Sequence, residues 1–148
     1  MNIFKKAILL FSLSFFITHC FSQSAEASLP KMVDDTLYTT SGYKITTGQN
    51  IKLGTGSNPN GDFKYITASN SPFPNAPNAR QVSLRSNANG HTAKVKKIKK
   101  EGNSKNGYVY RLSLGTGDII NYECDVESAI AAGEIIVPDQ YKPKSNSS

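Results

Sequence analysis

Between Tyr108 and Asp125 apolar and polar side chains alternate, reverse direction and alternate again. Tyr108, Tyr110, Leu112 and Leu114 fall on one face of an extended chain, and Val109, Arg111 and Ser113 on the other. That period of two marks a strand with one buried face. Gly115-Thr116-Gly117 supplies a reversal, and Ile119, Ile120 and Tyr122 resume a β-prone run, so the stretch predicts a hairpin with leucine and tyrosine turned to the core. Ile51 to Ala68 follows the same logic with Gly54-Thr55-Gly56 in the connection and predicts a second hairpin.

The rest of the chain reads in the same way. Leu37 to Thr40 is a short first strand; Tyr43 and Ile45 then alternate with Lys44 and Thr46 ahead of the turn Thr47-Gly48-Gln49-Asn50. Ser57 to Asp62 is turn chemistry at nearly every position, after which Phe63, Tyr65 and Thr67 alternate with Lys64 and Ile66. Three prolines between Ser69 and Ala79 bar a helix or a central strand, so a long surface loop is expected, with Phe73 plugging one end of a barrel or, in the competing reading, exposed as a contact. Gln81 to Leu84 is a short strand and Ser86 to Gly90 a turn.

From Thr92 to Lys100 the alternation of Ala93 and Val95 is broken by Ile98. A bulge at Lys96-Lys97 restores all three to the core face. Leu53-Gly-Thr-Gly and Leu114-Gly-Thr-Gly echo one another. Independent choice of similar turn residues is the simpler account, whereas a duplication predicts two superposable hairpins.

One helix is expected. Asp125 is a good N-cap, Glu127 complements the dipole in the first turn, Val126, Ala129 and Ile130 share a face, and Gly133 ends the run. Ile135-Ile136-Val137 adds an edge strand before Pro138. Together these elements predict a mainly β fold, a small antiparallel barrel or roll of SH3-like or OB-like kind with one short C-terminal helix. It occupies residues 37–138, after a flexible lead-in over 23–36 and before a disordered tail over 139–148.

The N-terminus changes the picture of location. Lys5 and Lys6, the apolar run Ala7 to Ile17 and small residues near Ser22 follow the order of a secretory signal peptide over residues 1–22, with cleavage after Ser22. The apolar run is shorter than the roughly 20 residues of a membrane-spanning helix. A rival reading places a lipid on Cys20, although His19 fits poorly before a lipidated cysteine. Loss of Cys20 leaves Cys124 without an intrachain partner, in a strand pattern where a thiol acts as a small buried hydrophobe.

Removing Lys5 and Lys6 from seventeen basic residues leaves fifteen against eleven acidic ones, a net charge of +4. The charge is unevenly spread. Nine basic residues and only Glu101 lie between Arg80 and Arg111, and six acidic residues with no basic one lie between Asp118 and Asp139.

Catalytic sets are missing. His91 is the one histidine after the leader and sits in a turn; no Cys or His pair has ligand spacing, and neither LGTG continues as a phosphate loop. No catalytic residue, cofactor or metal ligand is therefore assigned. The six C-terminal acids are accounted for by solvation around a cap and turns, with a small envelope enzyme built on them as the alternative. Lys94, Lys96, Lys97 and Lys99 carry the remaining signal: on a bulged strand they project together as a positive stripe able to bind phosphate or sulfate groups. The competing reading is an edge strand protected by lysines from unwanted pairing.

The leader ending at Cys20-Phe-Ser-Gln23, the run Gly42-Tyr-Lys-Ile-x-x-Gly48-Gln-x-Ile-x-Leu53 and Asp125-Val-Glu-Ser-Ala-Ile-Ala-Ala-Gly-Glu134 resemble small exported proteins of Bacteroidota. The resemblance implies a location and carries no activity. The reading is an exported, non-catalytic binding module of the cell envelope, periplasmic or at the cell surface. Its partners would be an anionic polysaccharide or an envelope protein, with Tyr65, Tyr108 or Tyr110 as stacking residues if they face out. Nucleic acid is not expected outside the cytoplasm, and membrane contact is expected only through the leader or a lipid on Cys20.

Overall fold

The computed structural model describes residues 30–69 and 80–143. In chain order the strands are β1 (Lys31–Val33), β2 (Thr36–Tyr38), β3 (Lys44–Thr46), β4 (Asn50–Leu53), β5 (Ile66–Ser69), β6 (Gln81–Ser83), β7 (Thr92–Asn103), β8 (Gly107–Gly115) and β9 (Asn121–Asp125). Helix α1 (Val126–Ala131) and strand β10 (Ile135–Ile136) follow. The fold is mainly β and antiparallel, with one short helix near the C-terminus. A curled seven-stranded half-barrel in the order β10-β4-β7-β8-β9-β5-β6 carries a separate three-stranded sheet, β1-β2-β3. Among the described residues no helix is long and apolar enough to cross a membrane.

The hairpin from Tyr108 to Asp125 forms, with Leu112 opposite Cys124 and Leu114 opposite Tyr122. Tyr110, Leu112, Leu114 and Cys124 are buried, and they meet Leu37 and Ile45 of the small sheet and Val126, Ala129 and Ile130 of the helix in one core. Two positions depart from the pattern. Tyr108 is 45% exposed because β8 begins beyond the edge of the core, and β9 starts only at Asn121, leaving Ile119 and Ile120 at 103% and 51% exposure in the connecting tip.

The register of β7 against β8 shifts between Val95 and Lys97. Ala93 and Val95 are buried on one face and Ile98 packs against the same core, which is the arrangement a bulge produces.

Partner choice differs from the local pattern elsewhere. β4 pairs with β7 and β10, while β5 pairs with β6 and β9, so Ile51 to Ala68 is not a hairpin and the two LGTG segments do not superpose as a repeat. The expected strand from Phe63 starts only at Ile66, because the amides of Lys64 and Tyr65 turn to a carboxylate instead of a neighbouring strand. The chain also enters the fold earlier than residue 37. Lys31–Val33 pairs with Thr36–Tyr38 across a tight turn at Asp34, so the expected lead-in contributes a strand. At the other end Tyr141 packs on Tyr43 with ring centroids 5.5 Å apart, which orders the start of the expected tail. The leader, Cys20 and Phe73 lie outside the described residues.

The carboxylate belongs to Glu134, expected in solvent and in fact fully buried. One oxygen accepts from the Ser57 amide (3.0 Å), the Ser57 hydroxyl (2.6 Å) and the Lys64 amide (2.6 Å). The other accepts from the Tyr65 amide at 2.9 Å. Four donors replace its hydration shell, which lets a charge sit in the core. Its backbone carbonyl accepts from Gly54 at 2.8 Å. Residues 54–65 are thereby fastened to the junction between α1 and β10.

Candidate anion-binding face

Strand alternation turns one row of side chains to the core and the next to solvent, and the bulge puts an extra residue on the solvent side of β7. Lys94, Lys97 and Lys99 occupy successive outward positions. Lys96 joins them by lying flat: a Cβ built on Gly115, the outward neighbour of Lys94, would stand 2.6 Å from Lys96 Cε, so the glycine makes room for that stem. On the other flank β4 presents Lys52 opposite Thr92, diagonal to Lys94. Outward positions lie about 7 Å apart along a strand and about 5 Å apart between strands. Lys52, Lys94, Lys96 and Lys97 therefore share one patch, and among the described residues none of the four forms an ion pair with a carboxylate.

Lys99 differs from the other lysines of the stripe. Its Nζ is 2.6 Å from one oxygen of Glu123, whose other oxygen is buried without a hydrogen bond among the described residues. Further along the ribbon Arg111 binds Glu101 at 2.8 Å. The positive face thus ends at Lys97.

β7 is not an edge strand at Lys94, which β4 and β8 flank, nor at Val95, which faces Leu114 of β8 and bonds Gly48 and Gln49 on the other side; from Lys97 to Asn103 it pairs with β8 alone. Protection of an edge explains lysines on that second half and leaves Lys94 unexplained. Lys52 was not singled out from sequence. Its outward place between Ile51 and Leu53 is legible there, but the adjacency of β4 to β7 is not.

The tyrosines named as stacking residues separate. Tyr110 is buried and its hydroxyl accepts from the Met32 amide; Tyr65 is half-buried; Tyr108 faces out with Lys100 Nζ 3.6 Å from its ring centre. Tyr108 shares the alternation of Tyr110 and lies off the lysine face, so that face recognises by charge without an aromatic platform.

Each of the six C-terminal acids has structural work. Asp125 caps α1 by accepting from the Ser128 amide, Glu127 accepts from the amide and hydroxyl of Thr40, Glu123 binds Lys99, Glu134 holds its four donors, and Asp139 pairs with Lys142. Asp118 accepts from the Thr116 hydroxyl. Among the described residues no three His, Cys, Asp or Glu side chains are grouped to hold a metal ion. His91 is exposed in its turn.

Cys124 is buried, and burial first, then the carboxylate of Asp125, pushes its thiol well above the usual 9.0. A raised folded value leaves stability untouched below the unfolded thiol's range and erodes it above, because only the unfolded chain then ionises. Stability is accordingly expected to fall as pH rises past 9.0, and a thiol reagent at pH 8 should label Cys124 only after denaturant is added. Rapid labelling of the folded chain would place the thiol in solvent.

In comparisons with protein-family models, with curated proteins and with solved structures, no match to this chain is found.

Proposed function

We propose that this protein is an exported, non-catalytic binding module of the cell envelope that holds an anionic polymer, such as a sulfated or phosphorylated polysaccharide, across Lys52, Lys94, Lys96 and Lys97. The observation that carries the reading is the bulge with Gly115: it gathers adjacent lysines onto one face where the described carboxylates leave them without partners. Desolvating them is cheap at an exposed surface, and their attraction to a polyanion depends on released counterions. The leader pattern supports export.

Changing Lys94, Lys96 and Lys97 together to glutamine is expected to abolish retention on heparin at low salt. The salt dependence of binding should drop by about one unit of slope per lysine removed. Gly115→Ala is a milder probe of the same face, since the added methyl is obstructed only by Cε of the flexible Lys96 side chain and should reposition it with little loss of stability. Unchanged retention in the triple variant sinks the proposal.

A further inference from the structure

The tip joining β8 to β9 exposes two isoleucines, Ile119 completely, in a place where neither packs on the core. It leaves the sheet directly beyond Gly115 and Asn121, which sit in one row with Lys94. Lys96 lies across Gly115. Because β7 runs against β8, Thr92 and its partner Lys52 stand level with the start of the tip. On the other side Arg85 and His91 line a surface depression together with Val82, Thr116, Asp118 and Tyr122. Val82 is exposed as well. Asp118 is the tip's acid, turned onto the Thr116 hydroxyl. An apolar point with Lys52, Lys94 and Lys96 on one flank and Arg85 on the other is the chemistry of a peripheral membrane contact: the apolar side chains enter the boundary between headgroups and acyl chains while the cations meet anionic headgroups.

We infer that this end of the half-barrel docks on an anionic lipid bilayer, with Ile119 and Ile120 inserted and Lys52, Lys94, Lys96 and Arg85 on the headgroups. The inference rests in part on the proposed reading of the lysine face, with which it shares Lys52, Lys94 and Lys96, and adds the tip. It gives the folded domain a membrane contact that the sequence reading reserved for the leader or Cys20.

The chain contains no tryptophan, so Ile119→Trp in the full-length protein places a unique fluorophore at the tip. With vesicles of equal parts phosphatidylglycerol and phosphatidylcholine its emission should shift to the blue and be quenched by brominated acyl chains. Vesicles of phosphatidylcholine alone should produce neither effect. Adding Lys52→Gln, Lys94→Gln and Lys96→Gln should weaken binding, read from vesicle titration, about fivefold per lysine. Adding Ile120→Ser should weaken it about tenfold.

Sedimentation with vesicles while the tryptophan stays in water would mean another segment binds, and overturns the inference. So would a shift that grows with protein concentration without lipid, which would assign the tip to a second copy of this chain. If the lysine variants lose heparin retention and the tip does not insert, the polymer site stands and the membrane contact falls; insertion that the lysine changes leave unaltered would take Lys52, Lys94 and Lys96 off the headgroups and overturn the inference as stated. Tip insertion with no heparin effect would remove the polymer reading instead.

Discussion

Glu134→Ala is expected to destabilise the fold by about 3–5 kcal/mol, seen as a large drop in the urea midpoint without a change in slope. The reason is the count of donors left behind. The amides of Ser57, Lys64 and Tyr65 and the Ser57 hydroxyl all point at the buried carboxylate, and its removal leaves them without their acceptor around a void. Glu134→Gln should be intermediate, because the amide keeps one acceptor oxygen and turns its NH2 group towards donors. Domains of this size are stable by about 5–15 kcal/mol, so the alanine variant sits near the limit of folding and the glutamine variant keeps the test readable. A midpoint for Glu134→Ala equal to that of the parent would mean the carboxylate holds nothing together.

Gly54→Ala is the second large effect. A Cβ at Gly54 would stand 1.9 Å from the carbonyl oxygen of Gly133, a backbone atom with no rotamer to escape into. Accommodating it means parting β4 from β10 and breaking the Gly54 amide bond to the Glu134 carbonyl. A loss of about 3 kcal/mol in denaturant melts is expected, at the upper end of overpacking costs. Gly115→Ala, at the matching place in the other LGTG, is the internal control, since its obstruction is a flexible side chain. Equal stability losses for the two substitutions would contradict this account.

These two glycines show where the sequence was legible and where it was not. Alternation from Tyr108 to Leu114 is local information, and it placed Tyr110, Leu112 and Leu114 in the core without knowledge of any partner. Likewise Ile98 falling out of phase with Ala93 and Val95 was enough to locate the bulge. The Asp125 cap, the buried stripe of Val126, Ala129 and Ile130 and the stop at Gly133 are equally short-range. Strand partnership is not. The same four letters close a hairpin at Leu114 and pass beneath the α1-β10 junction at Leu53, and what separates them is Gly133, nearly eighty residues downstream of Gly54.

Glu134 misled for a related reason. In a run of acids it reads as solvated, and only the turn at Ser57 to Tyr65, folded against it, supplies the donors that make burial tolerable. At Ile119 and Ile120 β-propensity pointed to strand, but the ladder ends at Gly115 and Asn121, and the two side chains have no core to enter. The lysine face was half visible: the stripe on β7 could be named, while Lys52 and the competition of Glu123 for Lys99 needed the neighbouring strands.

β8 is nine residues long and runs from the ribbon shared with β7 to the isoleucine tip. It therefore sets its two termini about 27 Å apart. A molecule seated by the tip would stand upright on that strut, its helix and Tyr108 held well above the supporting plane. Lys100 over Tyr108 would then be among the groups first met by anything diffusing in from the aqueous side.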